Sequence, residues 1–218
     1  MNDEMLRRFV EIVTPAGVTG DVVSPPDLAS LVMVAQHCHQ QDVAISVTSS
    51  PPATPAGTPE RRGIVLSVHR LDSIEVAAPG LTVHVGAGAT VANLRSAVAK
   101  AKLGVVGLGA ETGSGHAGTL VARGEIPRRS LAGIEAVLSN GDIVRAGGRA
   151  LKDVVGYDLT AALLGSGGRL AIIVALTFRL EPSAARTGTS EPPGPRTWQP
   201  ALASAFDPKG LLRSGALR

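Results

Sequence analysis

The residues whose types and spacing could do chemistry in this 218-residue chain are clustered glycines and serines rather than a nucleophile beside its base. Gly165, Ser166, Gly167 and Gly168 stand together just before a long apolar run, Leu170 to Leu180. A second cluster, Gly113, Ser114, Gly115 and Gly118, leads into Thr119, Val121 and Ala122. Such clusters belong where the backbone turns with φ > 0 or approaches a ligand closely, so the chemistry they predict is binding through main-chain groups. Groups for other chemistries are sparse. One cysteine, Cys38, excludes a disulfide framework and a cysteine-based metal cage, and it reads as a small buried hydrophobe. His69 and His84 fall on predicted strands, where each is expected to be an exposed or satisfied strand residue, so no metal site is predicted.

Composition narrows the class. Hydrophobic content of 44% in 218 residues suits one globular unit of two lobes, and with only 2% aromatic residues its core must be built from Ala, Val, Leu and Ile. So few rings argue against stacking on single-stranded nucleic acid. The net charge of +3 comes from scattered arginines, with pairs at Arg61-Arg62 and Arg128-Arg129 but no long basic stripe, so no nucleic-acid partner is expected. Asp3 and Glu4 begin the chain without an apolar leader, and no stretch has the length of a membrane span; the expected location is cytoplasmic.

The elements that position the glycines follow from local pattern. Residues 2–13 carry an Asn cap, early acids and apolar residues at Met5, Phe9 and Val13, which predicts a helix. Val22-Val23, a helix capped by Ser24 and running to Gln40, and Val43 to Val47 predict a β-α-β unit. Ile64 to Val68, Ser73 to Ala77 and Leu81 to Val85 predict strands, and Thr90 caps a helix to about Lys102. Residues 133–148 predict a hairpin on the Asn140-Gly141 pair favoured by type I′ turns. Asp158 or Tyr157 opens a short helix, and Leu170 to Leu180 predicts a strand buried on both faces. After Pro182 the composition changes to a Pro, Gly and Ser-rich linker, residues 183–200, followed by a tail, 201–218.

Residues 151–173, LKDVVGYDLTAALLGSGGRLAII, resemble the segment KNVAGYDLTRLLVGSEGTLGIIT of FAD-binding oxidoreductases of the vanillyl-alcohol oxidase and p-cresol methylhydroxylase (PCMH-type) superfamily. Lys152, Val155, Gly156, Tyr157, Asp158, Leu159, Gly165, Ser166, Gly168, Leu170, Ile172 and Ile173 keep its order. Val174 and Ala175 replace its usual Thr-Glu. The opening β-α-β unit, the segment 111–130 ending in Pro127-Arg128-Arg129, and the terminal FDPKGLL are similar as well, most of all to FAD-binding subunits of glycolate oxidase and D-2-hydroxy-acid dehydrogenases.

The resemblance implies an α+β fold, a PCMH-type FAD-binding domain over residues 1–182. Its lobes would run from about 21 to 68, with parallel strands, and from 73 to 180, with a mainly antiparallel sheet and flanking helices. It implies non-covalent FAD between the lobes, held by Ser49, Ser50, Gly113, Ser114, Gly118, Thr119, Val121, Ala122, Gly168, Leu170, Ile172 and Ile173, mostly through backbone atoms. In the family a glycine-rich loop surrounds the FAD pyrophosphate; here Pro51 and Pro52 take two N–H donors out of it.

The linker stands in place of the family's substrate-binding cap, with the tail returning to the first lobe. No catalytic residue is identified. The implied activity is that of a flavin-dependent oxidoreductase subunit, reaching a small 2-hydroxy acid only within a complex. The expected partner is a second copy or a cap-bearing flavoprotein subunit, docked over residues 113–129, where Arg128 and Arg129 would meet its carboxylates. The alternative is a non-catalytic, cofactor-weak paralogue that serves a full-length flavoprotein as a structural or regulatory partner.

Overall fold

The computed structural model describes residues 3–51, 63–109, 115–147, 158–183, 194 and 200–213. Two sheets share one apolar cluster, which runs from Phe9 and Leu31 through Ile64 and Leu94 to Leu176 and Phe178.

The first sheet is built from β1 (Val18–Thr19), β2 (Val22–Val23), β3 (Ala44–Thr48), β4 (Gly63–Ser67) and the late strand β11 (Leu212–Arg213), in the order β1-β2-β4-β3-β11. β2, β4, β3 and β11 are parallel, and β1 closes the edge as the antiparallel partner of β2. The tail therefore returns to the first lobe, as expected. Asp207 accepts from the Leu212 N–H at 2.7 Å and holds the turn before β11. Helix α2 (Leu28–Gln40) connects β2 to β3, with α1 (Asp3–Val13) against it through an edge contact of Phe9 on His37, ring centroids 5.5 Å apart.

The cap of α2 is Asp27 rather than Ser24: its carboxylate accepts from the Ser30 N–H at 2.8 Å. Pro25 and Pro26 occupy the extended approach, which pushes the first helical residue to Leu28.

The second sheet contains β5 (Ile74–Ala77), β6 (Thr82–Gly86), β8 (Leu131–Val137), β9 (Ile143–Gly147) and β10 (Ile172–Pro182), in the order β5-β6-β10-β8-β9. Every pairing is antiparallel, and β7 (Leu103–Val105) pairs with the far end of β10. β10 is buried through most of its length, as its run rich in Ile, Val and Leu predicts, with Arg179 exposed. Helices α3 (Val91–Lys100, capped by Thr90), α4 (Ala117–Arg123) and α5 (Leu159–Leu163) pack along this sheet. Helix α6 (Pro200–Phe206) precedes the returning tail.

The β8–β9 turn differs from the expected type I′ form, which needs φ > 0 at both central residues. Only Gly141 is positive, at 91°, and its N–H bonds Leu138 O at 3.0 Å. A Cβ on Gly141 would also run into the Gln36 side chain of α2, so this turn is pressed against the first lobe. His69 is likewise off its expected strand, in the turn that follows β4.

Asp27→Ala is expected to cost about 1 kcal/mol of stability, read as a lower urea midpoint with unchanged slope. The Ser30 N–H bond holds the Asp27 carboxyl below its ordinary value. A depressed carboxyl contributes stability above its unfolded pKa and loses it as pH falls through the folded value, so wild type and variant should converge below about pH 4.

Candidate functional site

Four segments converge where the lobes meet, and the short turn at residues 86–89 is their common floor. Gly86 ends β6, and the N–H of Ala87 bonds Val174 O of β10 at 2.9 Å. On one side Ala117 N–H bonds Ala89 O at 2.8 Å and Gly118 N–H bonds Ala87 O at 2.9 Å, while His116 bridges Thr90. On the other side a Cβ at Gly88 would strike the backbone of Val68 and His69, so only a residue without a side chain allows the turn after β4 to lie this close. The end of β3 completes the group. A Cβ on Gly118 would stand 3.1 Å from Ser49 Oγ and 2.8 Å from Ala87 Cβ.

The predicted site residues fall around this floor in three ways. Ser49 is buried and Ser50 follows it at the end of β3, with Ser50 N–H bonding Thr48 Oγ1 at 3.2 Å and Ser50 O accepting from Ser67 Oγ at 2.6 Å. Gly118, Thr119, Val121 and Ala122 lie in α4 and are buried; the space beside Gly118 is taken by Ala87 and Ser49, so that glycine is needed for protein packing. Leu170, Ile172 and Ile173 turn their side chains into the core, leaving main-chain atoms as what they could offer a ligand. The turn before them is tied to α4, with Gly165 N–H to Val121 O at 2.9 Å and Gly167 N–H to Ala122 O at 2.8 Å. Gly113 and Ser114, with Lys152, Val155, Gly156 and Tyr157 of the motif, lie outside the described residues.

Asp158 of the motif has a clear structural role. Its carboxylate caps α5 through Ala161 N–H at 3.0 Å and receives Arg128 through Nε at 3.1 Å and Nη2 at 2.9 Å. Burial raises its pKa, but the Arg128 and backbone hydrogen bonds outweigh that and hold the carboxyl below its usual value. Arg128 also donates to Leu131 O at 3.0 Å. This corrects the expectation that Arg128 waits for a partner's carboxylates: its guanidinium is already spent inside the chain.

Sequence reasoning missed the 86–89 floor and His69, because neither is polar chemistry by spacing alone. A groove of about 320 Å³ on the outer face of the second sheet, lined in part by Glu75, His84, Glu135 and Arg145, contains none of the predicted site residues. Cys38 is buried, and burial pushes its thiol up to about 12, which leaves it inert. Among the described residues no group of His, Cys, Asp and Glu could hold a metal ion, and no helix is long and apolar enough to cross a membrane.

Two glycines near these segments have room beside them. The Cβ positions of Gly115, next to His116, and of Gly168, at φ +77°, meet nothing within 4 Å. Those positions, with the serines at the end of β3, fit FAD as a ligand held by backbone and small polar groups.

Comparison with known proteins agrees. The glycolate oxidase subunit GlcD of Bacillus subtilis is 30% identical over 174 residues, 74% of this chain and 37% of that protein. D-lactate dehydrogenase of Archaeoglobus fulgidus is 28% identical over 172 residues, 74% of this chain and 38% of that one. The chain thus spans less than two fifths of the length of either relative. An alkyldihydroxyacetonephosphate synthase structure shares the fold, with a TM-score of 0.67 at 15% identity over 84% of this chain and 41% of the other. Residues 21–147, which include the whole 86–89 floor and the segments of Ser49, His69 and Gly118, match the family described as FAD binding domain. The chain belongs to that PCMH-type FAD-binding family, and FAD is its cofactor.

Proposed function

We propose that this chain is the FAD-binding part of a flavin-dependent oxidoreductase for small 2-hydroxy acids, completed by a partner subunit. The observation that carries this reading is the meeting of Ser49, Gly88, Gly118 and the Gly165–Gly168 turn around one floor, inside the span that matches an FAD binding domain. Bound FAD would supply the acceptor for hydride from a carbon bearing a hydroxyl. The chain's own part is to position: Ser49, Ser50 and open main chain at Gly115 and Gly168 hold the dinucleotide, and the buried α4 and β10 fix the distances between them.

The substrate class comes from the relatives named glycolate oxidase subunit, D-lactate dehydrogenase and D-2-hydroxyglutarate dehydrogenase. The partner is supported by the relative named as a subunit of glycolate oxidase. In this reading residues 1–182 form the cofactor unit, residues 183–200 stand where relatives carry a cap, and the tail from 201 closes the first sheet. The partner is a second copy or a cap-bearing flavoprotein subunit, and the complex works in the cytoplasm.

The purified protein should show the visible flavin band, with free FAD released on denaturation. A colourless protein that gains no band with added FAD would instead favour the non-catalytic paralogue, for which Pro51 and Pro52 in the first loop, the linker in place of a cap, and Val174-Ala175 in place of Thr-Glu are the supporting features. For the partner, light scattering and co-purification with its co-expressed neighbours should reveal a dimer or a hetero-complex, with oxidation of 2-hydroxy acids only in that complex; a monomer that recruits nothing would count against the subunit reading. Gly118→Val should unfold the protein or lower its stability by about 1 to 3 kcal/mol, because the added branches meet Ala87 and Ser49. A fully stable variant would show that α4 can shift away from that contact.

A further inference from the structure

His69 and His116 stand beside the 86–89 floor, and the hydrogen bonds around His69 specify its tautomer. Ser67 Oγ lies 2.6 Å from Ser50 O and 2.9 Å from His69 Nδ1. A carbonyl can only accept, so the single hydroxyl proton goes to Ser50, and the Ser67 oxygen is left to accept from the ring. Neutral His69 therefore carries its proton on Nδ1, and its Nε2 keeps a lone pair. His116 stands at the entry to α4, where its side chain caps nothing and its backbone is pinned against Thr90.

The charged neighbours of His69 are Arg70, Asp72 and His116. Burial first, then the positive charges of Arg70 and His116, hold His69 below the ordinary histidine range, with Asp72 opposing; burial alone lowers His116. Held below the ordinary histidine value, both rings are neutral at pH 7 without a ligand.

We propose that His69 and His116, with Arg70 beside them, are the counter-charge for the diphosphate of the bound dinucleotide, and that they take up protons as it binds. The proposal rests on the FAD reading above and deepens it. Pro51 brings no N–H to the end of β3, so main-chain donors are fewer there and side-chain donors take their share. Protonation at Nε2 adds a donor to His69 without breaking its Nδ1–H bond to Ser67. The proton comes from solvent and stays on the ring while the anion is bound; no covalent bond forms or breaks. A ligand that raises these pKa values binds more tightly as pH falls, with affinity changing up to roughly tenfold per pH unit for each proton taken up.

The test follows the five imidazoles of the whole chain by NMR across pH, without ligand, with inorganic pyrophosphate and with FAD, assigning the two rings from His69→Gln and His116→Gln. FAD affinity is measured over the same range by flavin fluorescence. Both ligands should raise the titration midpoints of His69 and His116. FAD affinity should fall several-fold or more from about pH 6 to about pH 8, and the double variant should lose that slope. FAD that binds with no pH slope and moves neither ring would overturn the proposal while leaving the flavin reading intact. Pyrophosphate shifting both rings in a protein that ignores FAD would support the anion site and remove the flavin reading; rings indifferent to both ligands would overturn the two together.

Discussion

The structure depends on backbone lying directly on backbone at residues 86–89. Gly88 has the peptides of Val68 and His69 against the space where a side chain would be, and the other side of the same turn is bonded to Ala117 and Gly118. No side chain fits at 86 or 88, and so the turn after β4 is held close to this turn. Ser49 then has nowhere to lie but beside Gly118. Every group assigned to the dinucleotide is placed by this one close approach.

β10 transmits that placement through the second sheet. It pairs with β6 and β8 over its inner length and with β7 beyond, and Val174 at a register shift gives its carbonyl to Ala87. Valine and alanine at 174 and 175 are buried there, which suits a role in the sheet. The carbonyls of α4 are answered by Gly165 and Gly167, so the glycine turn serves helix and strand together. On the same side Arg128 and Asp158 join the approach to β8 with the cap of α5; the pair is about half exposed, and its worth lies as much in orienting α5 as in energy.

The tip of the β8–β9 hairpin presses on Gln36 of α2, and β11 brings the end of the chain onto β3. The Gly141–Gln36 contact and the approach of Gly88 to Val68 and His69 are what join the two lobes.

Local pattern was enough for much of this. A run rich in Ile, Val and Leu made β10 a doubly buried strand, alternation around Asn140-Gly141 made a hairpin, and Asp158 three residues before Ala161 made a cap, because each depends on neighbours a few residues apart. The motif at 151–173 carried the resemblance that implied FAD. What only the tertiary structure decided involves residues far apart in the chain. Two prolines made Ser24 look like the cap although Asp27 reaches the free N–H. Arg128 is consumed by a carboxylate thirty positions on, and His69 gains its tautomer from the bond between Ser67 and Ser50, seventeen positions apart. Contacts of that kind leave no periodicity in a sequence, since they are set by which backbones glycine allows to touch.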